Sequence, residues 1–151
     1  GNGTGVGEQI QRVISAVKVQ EGEAKTALFL RAYSTGVSAK GREHTVCTIL
    51  DDLGVKNIAA SNASLLEDLS LEKILLEDPD YIFVVPMGSD EEKAMESLAK
   101  TFTESPAWGK LTAVKEGNFV ILPKDLFHYK PNQRWGEAYE YLGKILYPEV
   151  F

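Results

Sequence analysis

Cysteine is nearly missing from this sequence: Cys47 is the only one in 151 residues, so no internal disulfide staples the fold and the redox compartment stays open. Histidine is scarce too. His44 and His128 are far apart and lack the spaced partners of a zinc site. No run of about 20 apolar residues is present to span a bilayer, and no signal peptide opens the chain. The 13 glycines and 6 prolines fall well short of a collagen-like fiber. Positive charge is outweighed, with 16 Lys and Arg against 22 Asp and Glu for a formal net charge of -6, and the cations are scattered singly among acids. Nucleic acid is therefore not an expected partner, because phosphate binding relies on clustered cations. What remains is an ordinary globular balance, 44% hydrophobic and 25% charged, enough for one packed core without a metal or cross-link.

Residues 1–7 are expected to be a flexible glycine-rich end, and residues 8–151 read as a single α/β lobe. The glycines of the opening miss the dinucleotide spacing and follow no strand, so they do not make a phosphate loop. Ile10, Val13, Ile14 and Val17 mark one face of a helix. Thr26 to Tyr33 reads as a strand apolar on both faces, the kind found inside a parallel sheet. Val46, Ile49, Leu50 and Leu53 make a helical stripe that stops at Gly54. Val55 to Ala60 is expected as a short strand, and Ser70 as the cap of a helix carrying Leu71, Ile74 and Leu75. Asp78-Pro79-Asp80 ends that helix, and Tyr81 to Val85 is the clearest buried strand. Ser89 or Asp90 can cap a helix reaching about Phe102, Asn118 to Leu122 is the fourth strand, and Pro131 begins a last helix ending at Leu146. This alternation predicts a three-layer α/β fold: a mainly parallel, Rossmann-like central sheet with helices on both faces.

Ligands of such sheets bind outside the carboxyl ends of the strands. That points to the loops Arg31 to Ser38, Pro86 to Asp90 and Lys124 to Trp135. They offer Arg31 and Lys130 as cations, Tyr33, Phe127, Tyr129 and Trp135 as aromatic walls, and His128 and Asn132 as donors. His128 suits a ligand or packing against its aromatic neighbors equally well. Cys47 lies on the apolar side of its helix and reads as a core thiol. Asp51-Asp52 and Glu91-Glu92 read as solvated helix faces, since adjacent helical residues point apart. Two competing readings are a free-standing doubly wound domain, acting as an enzyme or phosphate-dependent switch, and an interaction domain using the acidic surface near Glu72. The former needs a glycine-spaced phosphate loop or an acid cluster for magnesium, and no loop offers either.

Leu53-Gly54-Val55-Lys56-Asn57-Ile58, Ser70-Leu71-Glu72-Lys73-Ile74-Leu75 and Asp78-Pro79-Asp80-Tyr81-Ile82-Phe83-Val84 follow one another in an order that is specific even though each piece is degenerate. So do Pro106-Ala107-Trp108, Leu111 to Lys115, Asn118 with Val120, Trp135-Gly136-Glu137-Ala138 and Leu146-Tyr147-Pro148-Glu149. Over residues 8–150 the chain resembles the substrate-binding proteins of ABC importers for ferric siderophores, heme and cobalamin, in the TroA-like group. The resemblance implies two α/β lobes joined by a long helix, of which this chain is the second. Glu8 to Gln20 would be the tail of the connecting helix, and the first lobe has no counterpart. Either the lobe was cut from a longer protein or a natural short form exists, and the glycine-rich opening favors the cut.

The same resemblance implies a non-enzymatic protein with no cofactor and no resident metal. Its ligand is a chelated iron, heme or corrinoid, its partners are permease subunits, and its parent is extracytoplasmic, either periplasmic or lipid-anchored at a membrane. It carries ligand contact to Arg31, Tyr33, Met87, His128, Tyr129 and Trp135, with Tyr33, Tyr129 and His128 as candidates for iron. Trp135 and Tyr139, a turn apart, also fit a core role. Glu72 corresponds to a glutamate that docks on permease arginines, a role that suits a carboxylate fixed in the first turn of a helix.

Overall fold

The computed structural model describes residues 25–39, 45–67, 69–87, 90–122 and 135–147. The glycine-rich opening, the helix expected over Glu8 to Gln20 and most of the third rim loop lie outside these residues. The central strand β1 (Thr26–Tyr33) has Ala27 to Leu30 wholly buried, because a strand covered on both faces needs apolar side chains in both directions. Strand β4 (Tyr81–Pro86), buried at every position, lies parallel to it, with Ala27 opposite Tyr81 and Ala32 opposite Pro86. Strand β5 (Phe119–Ile121) continues the sheet parallel to β4, and β3 (Lys56–Asn57) pairs in parallel with the first two residues of β1.

Two departures from the sequence reading concern the edge beyond β1. Arg31 to Ser38, expected as a loop, turns at Ser34-Thr35 into β2 (Gly36–Ala39), which returns antiparallel along β1. The pairing sets Val37 opposite Ala32 and Ala39 opposite Leu30 and places all four in one apolar cluster, the cross-strand contact that stabilizes a hairpin. Val55 to Ala60, expected as a strand, pairs only at β3. The Asn57 side chain then accepts a hydrogen bond from the backbone N–H of Ala59 at 3.1 Å and starts a helical turn, α2 (Ile58–Ser61). A further short helix, α3 (Ala63–Glu67), follows.

Helices cover both faces, as the alternation predicted. On one face Ala27, Phe29, Phe83 and Val85 pack with α1 (Thr45–Asp52) and α7 (Trp135–Leu146). On the other, Leu28, Leu30, Ile82 and Val84 pack with α2, α3, α4 (Leu71–Glu77) and α5 (Glu91–Leu98). Ser70 caps α4 and Asp90 caps α5, each side chain accepting from a backbone N–H three residues on. The expected extension of α5 to Phe102 is real but changes character, opening into a π turn over Ala99–Thr103. The 3-10 turn Pro106–Lys110 brings Trp108 against Phe102 and edge-on to Phe119, with α6 (Thr112–Lys115) leading into β5.

Asp78-Pro79-Asp80 does more than stop α4. Asp78 adopts a left-handed conformation with φ 42°, and its carboxylate accepts from the Thr112 N–H at 2.9 Å and hydroxyl at 2.6 Å. The Asp80 carboxylate accepts from the Thr26 N–H at 3.0 Å and hydroxyl at 3.2 Å, while Asn118 Nδ2 donates to the Asp80 carbonyl at 3.2 Å. The starts of β1, β4 and β5 are thus held level, which fixes where their far ends emerge.

Asp52, exposed as its reading on a solvated helix face expects, also accepts a hydrogen bond from the Tyr139 hydroxyl and joins α1 to α7. Burial, then the Asp52 hydrogen bond and charge, raise the pKa of Tyr139 above its ordinary value. A raised folded-state pKa contributes stability fully below the unfolded tyrosine value of about 10, and loses it as pH rises from there through the folded value. Tyr139→Phe should therefore cost about 1 kcal/mol at pH 7 and flatten the fall in stability above about pH 10. Urea unfolding across that range measures it, and an unchanged alkaline slope would contradict the assignment.

Candidate functional site

The carboxyl ends of three parallel strands meet at one edge of the sheet. The Met87 N–H donates to the Ala32 carbonyl and the Leu122 N–H to the Val84 carbonyl, both at 2.7 Å, so the chain leaves β1, β4 and β5 from neighboring positions. That is where ligands of open α/β sheets bind.

Arg31 and Tyr33, two residues apart on β1, point to the same face, the one covered by α1 and α7. The Arg31 guanidinium carbon stands over the Tyr33 ring, 5.5 Å from its centroid, within the range of a cation–π attraction. Arg31 Nε is buried and has no hydrogen-bond partner among the described residues. An orphaned donor on a charged group is costly to bury, and an anionic oxygen is the acceptor that suits it best. Tyr33 is half-buried against the core cluster of that face, and Met87, only 6% exposed, belongs to the cluster itself.

Of the residues predicted to face a ligand, the structure brings Arg31, Tyr33 and Met87 to one edge. Met87 lies there as a core side chain beneath the rim. His128 and Tyr129 lie outside the described residues, as does the Trp135 side chain, whose backbone opens α7. Glu72 is exposed in the first turn of α4, away from the α1–α7 face. Cys47 is buried and receives a hydrogen bond from Asn57 Nδ2 at 3.5 Å, in keeping with a core thiol. Among the described residues no group of His, Cys, Asp and Glu is placed to hold a metal ion, and no helix is long and apolar enough to cross a membrane. Sequence reasoning missed Lys93, Ser97 and Lys100, which line one side of a groove beside the Ser34-Thr35 turn. Their helical spacing reads as an ordinary solvated face.

A sequence model of a family described as periplasmic binding protein matches residues 4–126. The chain belongs to that family. Periplasmic binding proteins of this kind are substrate-binding proteins and not enzymes, so the reading as a free-standing enzyme is set aside. Among solved structures, the TroA-like periplasmic binding protein FepB from Veillonella parvula superposes with a TM-score of 0.75 at 17% identity, over 97% of this chain and 46% of that one. IsdE of S. aureus, solved with heme, gives 0.71 at 17% identity over 93% of this chain and 54% of its own. SirA of Staphylococcus aureus, solved with staphyloferrin B, gives 0.70 at 19% identity over 95% and 54%. This periplasmic binding protein chain therefore spans about half the length of those structures, and at such identities the likeness is one of fold. No curated protein matches it by sequence.

Proposed function

We propose that the chain is the C-terminal lobe of a two-lobed solute-binding component of an ABC importer, which closes around a chelated iron, heme or cobalamin-type ligand outside the cytoplasm. The observation that carries this reading is Arg31, over the Tyr33 ring at the strand-end edge, with its Nε buried and unpartnered among the described residues. In the closed protein Arg31 donates to an anionic oxygen of the ligand, while Tyr33, Tyr129, His128 and Trp135 supply aromatic area and candidate iron contacts. Met87 supports the floor. The facing lobe provides the other wall, and closure excludes water. Two of the similar structures were solved with heme and with staphyloferrin B, which supports the ligand class.

The permease partner docks on α4. Glu72 offers a carboxylate suited to paired arginine hydrogen bonds, and Leu76, one turn further on the same helix, is 86% exposed, an apolar contact ready to be covered by a partner.

Titration of the chain and of its two-lobed parent with heme, ferric siderophores and cobalamin tests the reading, followed by absorbance and tryptophan fluorescence. The parent should bind one class saturably and the lone lobe far more weakly. Arg31→Ala should weaken the parent by about 10- to 100-fold, the loss of a charged hydrogen bond. Glu72→Gln should leave ligand affinity and melting unchanged but abolish ligand stimulation of the reconstituted permease. No binding by the parent to any of the three classes would end the proposal.

A further inference from the structure

The β1–β2 turn and the outer side of α5 enclose a groove of about 270 Å³. It lies across the sheet from Arg31 and Tyr33. Those side chains point to the α1–α7 face, whereas α5 packs through Ala94 and Leu98 on the opposite one. The groove therefore opens on the face opposite Arg31 and Tyr33, although its Ser34-Thr35 turn follows directly on β1.

Lys93 and Lys100 are seven residues apart, about two helical turns, with Ser97 between them, and Ser34 and Thr35 of the hairpin turn line the same groove. Neither ammonium is paired with a carboxylate among the described residues, although Glu96 sits at helical spacing from both. The far end is formed where α5 opens into its π turn at Lys100 and Thr101, a distortion that recurs at functional sites. On a chain of net charge -6, two such cations and the hydroxyl residues Ser34, Thr35, Ser97 and Thr101 around one concavity, the last already donating to the Ser97 carbonyl, form a local exception to the acidic surface.

The geometry points to a binding site for a small hydroxylated phosphomonoester. Lys93 and Lys100 balance the dianion, the Ser34, Thr35 and Ser97 hydroxyls donate to its oxygens, and the Glu96 carboxylate accepts from an alcohol of the ligand. The volume falls just below the range of drug-sized sites, which fits a ligand of a few carbons. Inorganic phosphate satisfies the lysines but offers Glu96 only its own acidic O–H, with no carbon-borne alcohol placed to reach the carboxylate.

Amide NMR of this chain tests the site, with glycerol 3-phosphate, inorganic phosphate and sodium chloride titrated at matched ionic strength. Glycerol 3-phosphate should shift the Ser34, Thr35, Gly36 and Ser97 amides saturably in the millimolar range, with inorganic phosphate weaker. Lys93→Gln combined with Lys100→Gln should weaken binding about tenfold, as expected for two exposed charges. Glu96→Gln should narrow the preference for glycerol 3-phosphate. Both lysines are exposed, so the double variant should melt like the parent chain. If it melts earlier, Ser97→Ala gives the same readout. Equal shifts with chloride, or full affinity in both the lysine and Ser97 variants, would overturn the site. A preference unchanged by Glu96→Gln would overturn the recognition of the alcohol.

Discussion

Phe83→Ala should lower the unfolding free energy by about 3–5 kcal/mol, the range for emptying a buried aromatic site. Phe83 is fully buried in β4, paired across to Phe29 on β1 and Val120 on β5, and stacked on Tyr81 with ring centroids 5.9 Å apart. Its neighbors belong to paired strands, so the backbone cannot collapse to fill the space, and the cost should fall near the top of the range. For a domain of this length the melting temperature should drop by roughly 10–15 °C. Phe83→Leu, which keeps most of the volume, should lose much less. Thermal and urea unfolding measure both, and a loss under about 1 kcal/mol for the alanine variant would remove Phe83 from the core.

Asp80→Ala should cost about 3 kcal/mol, a large effect for a half-buried polar residue. Its carboxylate accepts both the backbone N–H and the hydroxyl of Thr26, and hydrogen bonds to a charged group contribute about 1.5–3 kcal/mol. The alanine leaves the Thr26 N–H without its acceptor at the start of the central strand. Asp80→Asn keeps an acceptor and should recover more than half of the loss. Hydrogen exchange should speed up first at Thr26 and Ala27, where β1 also meets β3. An alanine variant as stable as the parent chain would show that side-chain pairing does not set the level of the strands.

Those two residues show how differently the sequence reveals a core and a clamp. Strands β1 and β4 are legible because burial on both faces writes an unbroken apolar run. Hairpin strand β2 is not: its residues are mostly half-buried, and Ser34-Thr35 lacks the glycine or asparagine that announces a two-residue turn. Val55 to Ala60 misleads because a short apolar run fits strand and helix alike. The Asn57 side chain decides between them by capping Ala59, a choice made by one hydrogen bond. At the site, strand position alone sends Arg31, Tyr33 and Met87 to the carboxyl edge, while the ligand contacts proposed for them rest on the family resemblance. That Met87 turns inward depends on which face of β4 it continues, and the groove joins Ser34 to Lys100 through space. Neither is written in local sequence.

The borders of the sheet carry a practical consequence. Among the described residues the outer strands hold only four, two and three residues in β2, β3 and β5, and β1 has its free flank divided between the first two of these. A polypeptide seeking to add itself as another strand finds no continuous row of idle amides to grip. Edge-to-edge association through these strands is thereby discouraged.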